Sequence, residues 1–250
     1  MTSDFAPIRS GDKTEQILAL LRDLVLQEKL EPGSELPPER ELAARLNVGR
    51  YSLREALRLA QAQGLVEITH GRRPRVSHPS TKPVAEVFDI AAKRSKVSLS
   101  DLLTARMTLE GEIAALAAPR VTDDVLERLR SNVARMRENA EDLDYCVSAD
   151  LEFHDLLVRL ADNDVFKIML DSVAHHLREA RVGTISATGV GRAVLGHERI
   201  IEALKKRDPA LARSTMRRHL EMTPEEIRTA EENPAPNSNS DGDGKAGSPP

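Results

Sequence analysis

Two kinds of hydrophobic spacing alternate along this chain. From Asp12 to Leu30, apolar residues recur at Ile17, Leu20, Leu21, Leu24 and Val25, the spacing that lines one face of an α-helix, and Glu31-Pro32-Gly33 closes it with a turn. Pro38 opens a short second helix, PERELAARLN, with its glutamates in the first turn, where the helix dipole favours them. Asn47-Val48-Gly49 predicts a tight turn into a third helix, Arg50 to Gln63, which Gly64 stops. The pattern then switches: Leu65 to Thr69 and Arg75 to Ser77 read as two short strands around the basic turn HGRRP. From Val84 onward the helical period returns, with helices expected near Val84 to Ala92, Ser98 to Ala117, Thr122 to Ala140, Leu143 to Ala161, Asp164 to Arg181, Thr188 to Arg207 and Pro209 to Met222. The one further β-like stretch is a brief connection at Val182-Gly183-Thr184-Ile185.

This pattern predicts a mainly α protein. Residues 12–78 form a winged helix-turn-helix with a small β-hairpin, 79–83 a linker, and 84–232 an all-α antiparallel helical bundle. Residues 1–11 and 233–250 are rich in Pro, Gly, Ser and Asn and are expected to be disordered. A length of 250 residues accommodates two domains with cores of their own. Hydrophobic residues make up 40% of the chain and no apolar run approaches the roughly 18 residues of a membrane span, so no membrane partner is expected. The N-terminus offers neither an apolar signal region nor a cleavage site, which makes the cytoplasm the expected location. Cys146 falls in a helical pattern as a small buried hydrophobe rather than a nucleophile.

The net charge of -4 is unevenly spread. Between Leu36 and His78 there are eight arginines against four glutamates, a net +4, and no lysine. Arginine binds phosphate and guanine bidentately, whereas a merely solvated face would mix in lysine. A third helix braced by a second is the arrangement that enters a DNA major groove, with base edges read from the helix N-terminus. Here that N-terminus carries Arg50, Tyr51, Ser52 and Arg54, while Leu53, Ala56, Leu57 and Ala60 supply the core-facing side. The bland alternative, a solvated arginine face, leaves the exclusive use of arginine unexplained.

The run PGSELPPERELAARLNVGRYSLREALRLAQAQGLV resembles the N-terminal signature of the GntR family of bacterial repressors, close to PGS-x-LPSERELA-x-x-LGVSR-x-x-VREAL-x-x-LEAEGLV. The resemblance implies DNA contacts at Arg40 on the second helix, at Arg50 and Arg54, and at His70 and Gly71 in the wing, where Arg72 adjoins them. Three departures stand out. Gly49 replaces a common serine or threonine, Leu53 replaces valine, and HGRRPRV replaces a glycine-rich wing, looking more like the wing of the fatty-acid-responsive branch.

In the helical domain, ionisable residues occupy positions where periodicity demands apolar ones. Asp150 and His154 share a stripe with Val147, Leu157 and Ala161; His197 lines up with Val190, Val194, Ile201 and Leu204; His219 lines up with Ala212 and Met216. A single buried histidine is usually a satisfied core residue. Three with an aspartate each need a partner in a dry core, and one divalent cation satisfies all four; the donor set suits Zn, Ni, Mn or Fe. The segments ADLEFHDLL and GHERIIEALKKRDPALARSTMRRHL resemble the metal-binding version of the FCD ligand-sensing domain found in the FadR-like subfamily, with Asp150, His154, His197 and His219 at its ligand positions. By the same resemblance Arg106 faces an effector cavity and can hold a carboxylate; an ion pair with Glu110 one turn away, or a snorkelling stem, is the alternative. Asn163 could line that cavity or cap a helix. Adjacent His175 and His176 point in different directions, and neither is expected to ligate.

The expected function is a ligand-responsive, DNA-binding transcription regulator: a homodimer on a palindromic operator, answering to a small carboxylate held near the metal. An alternative keeps the regulator but makes the metal structural and the effector acyl-CoA-like. A metal-dependent hydrolase is the distant rival, since Asp and His ligands could activate water. Against it, no separate general base or nucleophile stands at a usable spacing and the arginine-rich headpiece would have no purpose, so no enzyme is expected.

Overall fold

The structure is a computed structural model that describes residues 13–27, 29–222 and 224–232. The two ends expected to be disordered lie outside the described residues. The chain divides into two compact units between Val87 and Phe88.

In the first unit, α1 (Lys13–Leu26) buries Ile17, Leu21 and Leu24 against α3 (Arg50–Ala62), which turns Leu53, Ala56, Leu57 and Ala60 inward. Between them, α2 (Glu39–Leu46) buries Leu42, Ala43 and Leu46. It ends at Asn47, whose φ of 53° and backbone N–H bonds to Ala43 and Ala44 carbonyls reverse the chain within one turn. The expected strands are shorter than predicted: β1 (Val66–Glu67) pairs antiparallel with β2 (Arg75–Val76) through Val66 to Val76 and Glu67 to Arg75. Residues 33–36 run along the far side of β2, where Leu36 N–H bonds to the Pro74 carbonyl at 2.8 Å and Val76 N–H to Ser34 at 2.9 Å. The wing is therefore anchored on both sides, an arrangement that local periodicity does not reveal.

The helix α4 (Lys82–Ser95) starts inside the expected linker and spans the boundary between the units. The second unit holds α5 (Leu99–Ala117), a turn of 3-10 helix at Ala118–Arg120, α6 (Asp123–Glu138), α7 (Leu143–Ala161), α8 (Asp164–Ser172), α9 (Ala174–Thr188), α10 (Val190–Lys205), α11 (Pro209–Leu220) and α12 (Pro224–Glu232). Side chains of Ser98, Thr122, Asp142, Asn163 and Asp208 cap the N-termini of α5, α6, α7, α8 and α11, each worth about 1 kcal/mol. Capping fixes where each helix begins, and so which residues its buried stripe contains. α5 packs on α7 and α11, α10 on α6 and α11, and α9 on α7 and α12.

Two expectations are corrected. Residues 182–185 are not a β-like connection but the middle of α9, and the break falls earlier, at Val173. The use of Gly183 depends on a distant segment: a Cβ there would stand 2.8 Å from the Ala230 carbonyl, so glycine lets α12 lie directly on α9. The second is α12, which was not anticipated although Pro224 followed by Glu225 and Glu226 is a normal helix start.

Candidate metal centre and nucleic-acid interface

Once α3 has buried its apolar side, its opposite face is left to Arg50, Tyr51, Arg54 and Arg58. Tyr51 is 79% exposed. Ser52 is half-buried. Arg54 Nε donates to Glu39 Oε2 at 2.8 Å, so α2 orients it, and that hydrogen bond raises the guanidinium pKa further. Arg40, Arg50 and Arg72 have no carboxylate partner among the described residues, and Arg40, His70, Gly71 and Arg72 are all exposed. Gly71 turns the wing tip with a φ of 74°. At the wing base Glu35 bridges Arg75 at 2.8 Å and Arg73 at 3.5 Å, and Arg75 foremost holds its carboxyl below the usual range. Sequence reasoning counted Arg73 and Arg75 as part of the positive charge without seeing that Glu35 ties them down.

In the second unit, α7 supplies Asp150 and His154, α10 supplies His197 and α11 supplies His219. One donor atom from each lies within 4.8 Å of all the others. Metal bonds of about 2.1 Å place donors about 3.4 Å apart around a tetrahedral ion and at most about 4.2 Å apart when opposite, so side-chain shifts on the order of an ångström close the set on an ion. His197 Nε2 lies 3.2 Å and His154 Nε2 3.8 Å from Asp150 Oδ1, yet neither nitrogen has a hydrogen-bond partner in good geometry, and both are buried. Unmatched nitrogens turned toward one carboxylate oxygen fit a cation; in a merely packed core they would carry a desolvation cost.

Neighbours fix the rings. Phe153 stacks on His197 at 3.9 Å between centroids and 5° between planes. His154 Nδ1 contacts Glu110, which leaves Nε2 free to ligate. His219 lies against Gly196, where an added Cβ would be driven into its Nδ1. Gly196→Ala is therefore expected to displace His219 and weaken metal binding by about tenfold or more, read by chelator competition; unchanged affinity would show that His219 does not ligate.

Arg106, Glu110, Asp150, His154, Arg181 and His197 are all at most 5% exposed. Arg106 Nε donates to Glu110 Oε1 at 2.9 Å, so the ion pair weighed above is formed, and Arg106 also borders a small cavity of about 40 Å³ beside Asp150 and His219. Arg181, which sequence reasoning passed over, binds Asp150 through Nε and approaches Glu110 at 3.6 Å. Asn163 instead caps α8, its Oδ1 accepting from Val165 and Phe166 N–H at 3.0 and 3.3 Å, and it lines neither cavity flanking the cluster.

Burial would raise the carboxyl pKa values of Asp150 and Glu110, but their neighbours prevail. Arg181 and His154 hold Asp150 well below the usual range; His154, Arg106 and Arg181 do the same for Glu110. Burial lowers the imidazole pKa of His154 against the pull of Glu110, and lowers that of His219 well below its ordinary 6.5. Below about pH 6.5 an unfolded chain takes up protons that these two buried rings refuse, so the metal-free protein should lose stability as pH falls through that value. Its urea midpoint, followed downward from about pH 7.5 to 5.5, checks this; a flat profile would mean the rings are not buried neutral.

Among the described residues no helix is long and apolar enough to cross a membrane. Residues 13–76 match the gntR family of bacterial regulatory proteins, and residues 101–222 match the FCD domain. The chain is 30% identical over 220 residues to the HTH-type transcriptional repressor NanR of Cronobacter sakazakii, covering 86% of this chain and 85% of that one, and 27% identical to NanR of Citrobacter rodentium over the same shares. Among solved structures, Streptococcus agalactiae GntR aligns with a TM-score of 0.67 at 29% identity, over 83% of this chain and 96% of that one. With a winged helix-turn-helix in front and an FCD domain behind, the chain belongs to the GntR family: it is a DNA-binding transcription regulator and not an enzyme.

Proposed function

We propose that the chain is a ligand-responsive transcriptional repressor. In this reading a homodimer grips a palindromic operator through Arg50 and Arg54, with Arg40, Tyr51, Ser52, His70, Gly71 and Arg72 positioning each headpiece. Repression is supported by the name the NanR relatives carry. Dimerisation is supported by the few base pairs one headpiece can read, and by α8, which leaves Val165, Ile168 and Met169 exposed for a second copy to cover.

Asp150, His154, His197 and His219 would hold a divalent metal, which when bound supplies a Lewis-acidic anchor for an oxygen ligand. The observation that carries the acid-sensing part is the charge of the buried cluster. Two guanidiniums, Arg106 and Arg181, balance two carboxylates, Glu110 and Asp150, beside the imidazoles of His154, His197 and His219. A divalent ion adds two positive charges to a buried group, and an anionic ligand restores the balance. A small carboxylate is the natural effector, with Arg106 bordering the cavity it would enter.

The test is a thermal-shift series with malonate. Metal-loaded protein should gain melting temperature as malonate rises, and chelator-treated protein should not. A malonate shift that survives chelation, or no shift in either form, contradicts this reading.

A further inference from the structure

A cavity of about 420 Å³ opens between α7, α8 and α9, on the side of the cluster that His154 and Glu110 face. Leu151, Val158, Leu170, Ala174 and Leu177 supply apolar walls, and Arg181 stands among its lining residues. The carboxylates around it have cationic partners: Glu110 Oε1 takes Arg106 and its Oε2 lies against His154, while Asp155 pairs with Arg159 at 2.7 Å and Asp171 with Lys167. Arg178 and His175 are matched too, to Asp144 at 3.0 Å and Glu179 at 3.3 Å. Arg181 differs. Its Nε serves Asp150, but its Nη1 is buried without a hydrogen-bond partner, and a buried guanidinium donor left unmet is costly.

We propose that this cavity is a second small-molecule site, separate from the metal, that takes an anionic amphiphile: a carboxylate on Arg181 with a short apolar chain along Leu151, Val158, Leu170 and Leu177. The size is that of ordinary ligand pockets, and an apolar body with one charged anchor is what they usually hold. Arg181 also borders the small cavity beside Asp150, so a carboxylate in the larger one competes with Asp150 for the same guanidinium. Occupancy would thereby reach the metal centre without touching the metal.

Calorimetric titration with octanoate, and with 1-octanol as the uncharged control, tests this on full-length protein both zinc-loaded and chelator-treated. Octanoate should bind both forms, with an affinity that differs between them because Arg181 links this cavity to Asp150, and octanol should bind far more weakly. Arg181→Met should weaken octanoate about tenfold or more, the loss of a charged hydrogen bond. Because Arg181 also supports Asp150, a second variant separates the causes: Ala174→Trp, at an exposed lining position, should block octanoate while leaving zinc content and the malonate response intact. Octanoate binding that vanishes on chelation, persists in Ala174→Trp, or is absent from wild type overturns the proposal. Should Ala174→Trp change the oligomeric state while octanoate does not bind wild type, the cavity belongs to a contact with a second copy instead. A missing malonate response leaves this site standing and counts only against the metal-anchored acid.

Discussion

Arg50→Ala and Arg54→Ala are each expected to cost about 1–3 kcal/mol on operator DNA, roughly five- to 150-fold in affinity, and only a few-fold on random DNA. The asymmetry follows from their place. Both stand on the exposed face at the start of α3, one turn apart, where an arginine can meet guanine O6 and N7 at once. A phosphate contact removed from any sequence loses a similar amount everywhere, whereas a lost base contact is felt only where the right base stood. Arg54 should also be the more geometrically exacting of the two, because Glu39 already holds its Nε and leaves the far end of the fork to the DNA. Fluorescence anisotropy with operator and scrambled duplexes at one fixed salt concentration measures both losses. Equal losses on the two duplexes would make these side chains phosphate contacts.

His154→Ala and His197→Ala are each expected to remove most of the bound metal, from about one ion per protomer toward none, as read by elemental analysis of purified protein. Each deletes a donor from a set of four, and each leaves the buried Asp150 facing fewer partners. His197 is the harder loss, since it is wholly buried and stacked on Phe153, so its replacement also opens a void. Metal content near zero in wild type and both variants would remove the metal from the account. A control at His175, exposed and paired with Glu179, should leave the metal content unchanged.

Local patterning carried much of this structure. Apolar stripes located the helices from α1 to α11 to within a few residues, apart from the single long helix expected where α8 and the first half of α9 lie, because each stripe is a property of one segment. The four candidate ligands were legible for the same reason: a polar residue inside an apolar stripe announces itself. What the sequence could not display were the contacts made between segments. Arg181 lay in a stretch read as the end of one helix and the start of a β-like link, so its stripe was cut in two, and its pairing with Asp150 spans 31 residues. Glu110 was visible as a partner for Arg106, yet its contact with His154 requires α5 and α7 to be side by side. The glycines at 183 and 196 serve close packing, which only the facing Ala230 and His219 reveal. Asn163 had two readings, and the one set by its immediate neighbours is the one formed.

In the proposed function ligand binding in the helical unit changes DNA binding by the headpiece, and one titration tests that coupling most directly. Anisotropy of the duplex spanning the control region beside the protein's own gene is followed with metal-loaded protein as malonate is added, then repeated after chelation. The account predicts that malonate changes operator affinity of the metal-loaded form by about fivefold or more, the usual scale of a coupling between two sites, and has no effect on the chelated form. The same operator affinity with and without malonate in both forms would contradict it.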